Sequence, residues 1–223
     1  MIPLEHRSWT QHQDSERTLL VPLGSFEQHG PHLPLSTDTL IARALCERVA
    51  QLRDVDIAPE LPFGASGEHQ GFPGLLSLGT EVLSSVLTEI LRSARASFGA
   101  VVLVSGHGGN VDAVRQALTL GRAEGSRVTA WFPRDPEGDP HAGATETSVM
   151  MLLHPELVGD TELDAVHLDE GENQRLRTEG IMGVSRSGIL GDPRAANLAY
   201  GHEVVARWVA EIVSLVDRLG ESS

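Results

Sequence analysis

Three short stretches of this sequence carry the residue types that bind metal ions and move protons. Glu27-Gln-His29-Gly-Pro-His32-Leu-Pro-Leu-Ser-Thr-Asp38 packs carboxylates and imidazoles closely together. Gly106-His107-Gly108-Gly109-Asn110 is the second stretch, and His141-Ala-Gly-Ala-Thr-Glu146-Thr-Ser is the third. Glu27, His29, Asp38, His107 and Glu146 together form a mixed nitrogen and oxygen ligand set. Such a set suits Zn, Mn or Fe(II) and not a metal selected by thiolates. Glu27 and His29 are two apart, so in an extended segment they point the same way. Asp38 has two oxygens and is the candidate bridge between two ions. A two-ion site can activate water and polarise an amide carbonyl. Gly108 and Gly109 let backbone approach a ligand with no side chain in the way.

Each of these residues has an ordinary explanation when taken alone. A carboxylate at a helix start suits the helix dipole, which covers Asp38 and Glu146. A histidine in a turn is as often a structural hydrogen-bonding group as a ligand. No single ordinary explanation covers three turns that all combine His with Asp, Glu or Asn. His32, His69 and His141 have the places of orienting, substrate-contacting or surface residues. His141, beside a glycine turn, is the best placed of them for proton transfer. His12, His154, His167 and His202 stand outside the three stretches.

The elements that must position these residues follow from periodicity. Thr18 to Gly24, Asp54 to Ala58, Ala100 to Val104 and Val128 to Phe132 are short apolar runs that read as strands. Ala-Val-Val-Leu-Val at 100–104 is unbroken, as in parallel sheets covered on both faces. Thr37 to Leu52 has helical spacing. A second helix starts at Gly79 or Thr80, carries Val82, Val86, Ile90, Leu91 and Ala94, and stops near Phe98-Gly99. Asn110 caps a helix through Gly121, Thr145 to Leu153 is a short apolar helix, and Ala195 to Leu219 is a long amphipathic one. Asp160 to Gly180 is an acidic, weakly patterned stretch that reads as a solvated loop. Strands alternating with helices predict a three-layer α/β/α sandwich with a mostly parallel central sheet. Sites in such folds gather beyond the carboxyl ends of the strands. The three stretches therefore converge on one edge of the sheet.

The chain has 223 residues, which fits a single domain over 1–223. Its formal net charge of −14 and lack of basic clusters argue against a nucleic-acid partner. No apolar run approaches membrane-spanning length, and the first residues show no secretory pattern. The lone Cys46 permits no internal disulfide and suits a reducing cytoplasm. No serine sits in a Gly-x-Ser-x-Gly elbow, which argues against serine hydrolysis.

Val21-Pro-Leu-Gly-Ser-Phe-Glu27-Gln-His29-Gly-Pro-His32-Leu-Pro, Asp38, Ser105-Gly-His107-Gly-Gly-Asn110 and His141-Ala-Gly-Ala-Thr-Glu146-Thr-Ser resemble the creatininase family of metal-dependent amidohydrolases. The likeness runs from about residue 18 to the end and includes Gly188-Ile-Leu-Gly-Asp-Pro193. It implies an α/β/α fold and a centre of two divalent ions, Zn and/or Fe(II) with Mn as a further choice. It also implies that Glu27, His29, Asp38, His107 and Glu146 hold the ions, with Asp38 between them, and that the chain forms a homo-oligomer, often a hexamer. Creatininase-like members carry a glutamate two residues after the histidine that matches His107. Gly109 stands there in this chain, which argues against creatinine as the substrate. Phe63-Gly-Ala-Ser-Gly-Glu68-His69-Gln70-Gly-Phe-Pro-Gly is similar to the branch found in mycofactocin biosynthesis. That likeness implies a peptidase acting on a radical-modified precursor peptide and releasing its C-terminal, crosslinked Val-Tyr-derived piece. Glu68, His69, Gly108, Gly109 and Asn110 are then the candidate substrate contacts, and His141 and Glu146 the catalytic residues. The rival readings are creatinine or formylamino-pyrimidine hydrolysis within the same family, and, from a different class, a metal-bound subunit that scaffolds without catalysis.

Overall fold

The computed structural model describes residues 4–12, 16–136 and 138–221. The four apolar runs form β1 (Thr18–Leu23), β2 (Val55–Ile57), β3 (Ala100–Ser105) and β4 (Val128–Trp131). They pair in the order β2-β1-β3-β4, and every pairing is parallel. In register, Thr18 stands opposite both Val55 and Ala100, and Val101 stands opposite Val128. The described residues also form six α-helices, in chain order α1 (Thr37–Leu52), α2 (Thr80–Ala94), α3 (Val111–Ala123), α4 (Ala144–Leu153), α5 (Glu170–Glu179) and α6 (Leu198–Glu221).

The alternation of side chains along a strand sends residues to two separate cores. Leu19, Val21, Leu23, Val101 and Leu103 pack against α2 and α3. Leu20, Val102 and Val104 pack against α1, α4 and α6, together with Trp131, Trp208 and Ile212. Both faces are apolar because both are covered, which gives the predicted α/β/α sandwich and its unbroken apolar strands. Cys46 lies fully within the α1 side of this core, and burial pushes its thiol up. No helix among the described residues is long and apolar enough to cross a membrane.

Strand order sets the place of the site. From β1 the chain moves outward to β2, and from β3 it moves outward the other way to β4. The carboxyl ends of β1 and β3 therefore flank the point where strand order reverses, and a crevice opens there. The Glu27 and His107 stretches leave from those two ends.

Three expectations need correction. On α2 the buried stripe is Leu83, Leu87, Leu91 and Ala94, while Val82 is exposed. The stripe through Val82, Val86 and Ile90 is one residue out of phase, and the sheet selects the leucines. Asn110 stands at the N-cap of α3 but makes no capping bond. Its side chain turns inward to other loops, as described below. The stretch from 160 to 180 is not all loop, because Asp169 and Glu172 form a reciprocal capping box that starts α5.

Candidate metal centre

Glu27, His29, Asp38 and His107 are all buried at the carboxyl ends of β1 and β3. Asp38 lies in the first turn of α1, reached from β1 by the loop at 24–36. Glu146 lies in the first turn of α4. The ligand atoms form two groups that share Asp38: Glu27, Asp38 and His107, and His29, Asp38 and Glu146. Asp38 Oδ1 lies 3.2 Å from His29 Nε2, and Oδ2 lies 3.5 Å from His107 Nδ1. The two oxygens of one carboxylate thus face two different imidazoles. A third group, Glu27, His29 and His141, overlaps the first two.

The donor set fits a pair of divalent cations. Glu27 Oε1 and Asp38 Oδ2 are buried and meet no hydrogen-bond geometry, although ring nitrogens lie close. His69 Nε2 is 2.9 Å and His107 Nδ1 is 3.1 Å from Glu27 Oε1. A buried carboxylate oxygen without a satisfied bond is costly unless a cation supplies the partner. His29 Nδ1 donates to the Glu27 carbonyl at 3.2 Å, which leaves Nε2 to face the cluster. Glu146 Oε2 accepts from the Ala142 N–H at 2.6 Å. Ala142 has φ of 51°, a left-handed conformation that non-glycine residues rarely adopt. The His141-Ala-Gly turn is held in that shape by antiparallel bonds between His141 and Leu190, 3.2 and 2.8 Å long. The Gly188–Pro193 stretch thereby braces the third cluster.

Charge pairing dominates the protonation of the cluster. Burial pushes the Glu27 carboxyl up, but the His107 and His69 rings outweigh it and hold it well below the usual range. Burial pushes His29 down, yet Asp38, Glu146 and Glu27 raise it to about 9. His107 is likewise raised against its burial by Glu27, Glu68 and Asp38. Burial is the main cause that lifts Glu146 to about 7. His141 goes the other way, since burial and the neighbouring His29 and His69 hold it well below an ordinary histidine. Cations would replace the protons on the ligand imidazoles.

Glu68, His69, Gly108, Gly109, His141 and Glu146 line a cleft of about 310 Å³ over the cluster. Leu176 of α5, Ile181 and Leu190 add apolar wall. Asn110 does not reach this cleft. It is fully buried, and its amide ties Gly24 O at 3.0 Å, Ser105 Oγ at 3.2 Å and Ala65 N at 2.8 Å. The need to satisfy buried loop groups outweighs its capping preference and removes it from the substrate contacts. His32 sits behind the cluster with Nε2 2.9 Å from Thr147 Oγ1.

Gln28 is a buried residue beside the cluster that the spacing rule hid. An extended segment would send it away from Glu27 and His29, but this segment is irregular and all three turn inward. The Gln28 amide nitrogen lies 3.1 Å from His69 Nδ1, from His141 Nε2 and from Gly188 O. Gly188 has φ of 83°, and a Cβ there would collide with the Gln28 amide. Ser25 Oγ donates to Glu27 Oε2 at 2.5 Å and also bonds Ser66. The Ser25 and Gln28 flanks of Glu27 in Gly-Ser-Phe-Glu-Gln-His were the available sequence signal.

Comparison with known proteins shows what the whole chain is similar to. The creatinine amidohydrolase family model matches residues 5–216. A mycofactocin precursor peptide peptidase from Mycolicibacterium smegmatis is 46% identical over 201 residues, 86% of this chain and 81% of that protein. One from Mycobacterium tuberculosis is 44% identical over 219 residues, 90% of this chain and 85% of that protein. Creatinine amidohydrolase from Pseudomonas putida is 33% identical over 66% of this chain and 67% of its own length. Among solved structures, a creatininase variant superposes with a TM-score of 0.76 at 25% identity, covering 96% of this chain and 97% of its own. A Bacteroides fragilis protein described as a candidate creatinine amidohydrolase reaches 0.81 at 24% identity over 98% of this chain and 96% of its own.

Proposed function

Because the chain belongs to the creatininase family, we propose that it is a two-metal peptidase acting on a modified precursor peptide in mycofactocin biosynthesis. The family is one of metal-dependent amidohydrolases, and the peptide bond is a secondary amide open to the same chemistry. The observation that carries the reading is Asp38, whose two oxygens face His29 and His107 separately. Glu27, Asp38 and His107 would hold one ion, and His29, Asp38 and Glu146 the other. Zn and/or Fe(II), or Mn, would supply an activated water and polarise the scissile carbonyl there.

The chain's own residues do the rest. The Ala142 N–H holds the Glu146 carboxylate in place. Gln28 O accepts from His141 Nε2 at 2.8 Å, so the Nδ1 lone pair faces Glu146, 3.9 Å away. His141 is neutral in that setting, so its Nδ1 would first take the proton that the attacking water gives up and then pass it to the leaving amine. Gly108 and Gly109 begin a helical turn, and their N–H groups would support the charge that develops on the carbonyl oxygen. Leu176, Ile181 and Leu190 would flank apolar side chains of the peptide. The proposal extends to release of the crosslinked Val-Tyr-derived fragment from a radical-modified peptide, to a cytoplasmic location and to a homo-oligomer, a hexamer by family resemblance.

The test is mass spectrometry of the metal-loaded protein incubated with modified precursor peptide, with creatinine in a parallel reaction. A C-terminal dipeptide-derived fragment is the expected product. Turnover of creatinine alone would overturn the substrate and keep the family. Hydrolysis of no amide by a fully loaded site would favour the scaffold reading. Light scattering of the same sample reads the oligomer.

A further inference from the structure

Glu68 is a carboxylate of the cleft that belongs to none of the ligand groups. Its partner is the outer nitrogen of His107. His107 Nδ1 faces inward, 3.1 Å from Glu27 Oε1 and 3.5 Å from Asp38 Oδ2. Nε2 faces outward, 3.2 Å from Glu68 Oε1 and 3.3 Å from Ala65 O. An imidazole that offers the Nδ1 lone pair to a cation carries its proton on Nε2, and that proton needs an acceptor. Glu68 and Ala65 arrive on one segment, and Asn110 fixes that segment to the His107 turn through Ala65 N. Gly109 supplies the space. A Cβ at 109 would overlap the His107 ring and the Glu68 carboxylate and would lie 2.7 Å from Ala65 O.

We propose that Glu68 is a positioning residue whose carboxylate accepts from His107 Nε2, fixes that ring's tautomer and aims Nδ1 at the metal ligand cluster. This role rests on the metal-centre reading above. It differs from a substrate contact, a role that the partial exposure of Glu68 at the cleft also allows, because it acts on metal binding before any substrate arrives.

The experiment is Co(II) titration of the full-length protein, read by visible absorption and by competition with a chelator. Wild type, E68L, E68Q and E68D are compared, and melting of each metal-free protein controls for folding. E68L is expected to weaken one of the two sites about 10–100-fold and to shift its absorption bands. E68Q keeps an acceptor oxygen at the same reach and is expected to restore most of the affinity. E68D keeps the charge but withdraws the oxygen, so it is expected to fall with E68L, and it carries the test if E68L melts early. Wild-type affinity and spectra in E68L and E68D, with only KM for the peptide raised, would overturn the positioning role. A wild-type protein that takes up no Co(II) would overturn the metal centre itself, and this role with it.

Discussion

The floor and the rim of the cleft are built in opposite ways. The floor comes from the loops after β1 and β3 and from the first turn of α4. Its candidate ligands Glu27, His29, Asp38 and His107 are buried and Glu146 is partly so, and buried amides such as Gln28 and Asn110 tie the loops around them. The rim at 160–183 is mostly exposed, and α5 has no buried residue of its own. Only Leu176 and Ile181 of that region line the cleft. A rigid floor fixes where the chemistry occurs. A lightly packed rim can change what enters without disturbing it, since loops on a fixed scaffold carry much of the variation between related proteins.

That contrast can be broken at either part. The largest effect is expected from Asp38→Ala, which should empty both sites and lower turnover by about 10⁴-fold, the scale of losing a catalytic group. Metal analysis beside a peptide-cleavage assay checks it, and retained metal with full turnover would end the bridging role. His141→Ala should keep the full metal load and still cost about 10²–10⁴-fold in kcat, the range for general acid–base catalysis. Chelation should act on the floor as a whole. Glu27, Asp38 and Glu146 would then face one another with no cation between them. Ligand binding at a thousandfold excess over Kd is worth about 4 kcal/mol, so melting should fall by roughly 10 °C in calorimetry. The smallest effect belongs to the rim. Leu176→Ala should raise KM for the peptide about tenfold, with kcat and metal content unchanged. A loss of metal in that variant would show that rim and floor are not separate.

The same division governs how much could be read from the sequence. The grouping of the floor was legible because its candidate ligands are chemically distinctive and most of them follow apolar runs that read as strands. The convergence of the three stretches then came from topology, and α1 spans the predicted Thr37 to Leu52. What escaped was decided by tertiary packing. Val82 and Leu83 lie on adjacent stripes of equal helical spacing, and only the sheet beneath chooses between them. Asn110 has the right type for a cap, yet three buried loop groups claim its amide. Gln28 turns inward because its segment bends, which a two-residue period cannot express. On the rim, α5 lacks an apolar stripe, so the Asp169 and Glu172 capping box was its only signal.

The central claim is that Asp38 joins two cations. It is tested most directly by an anomalous difference map of metal-loaded crystals, collected at the absorption edge of the bound metal. Two peaks flanking the Asp38 carboxylate are expected, one beside Glu27 and His107 and the other beside His29 and Glu146. A single peak among Glu27, His29 and His141, with Asp38 bound to nothing, would contradict the account.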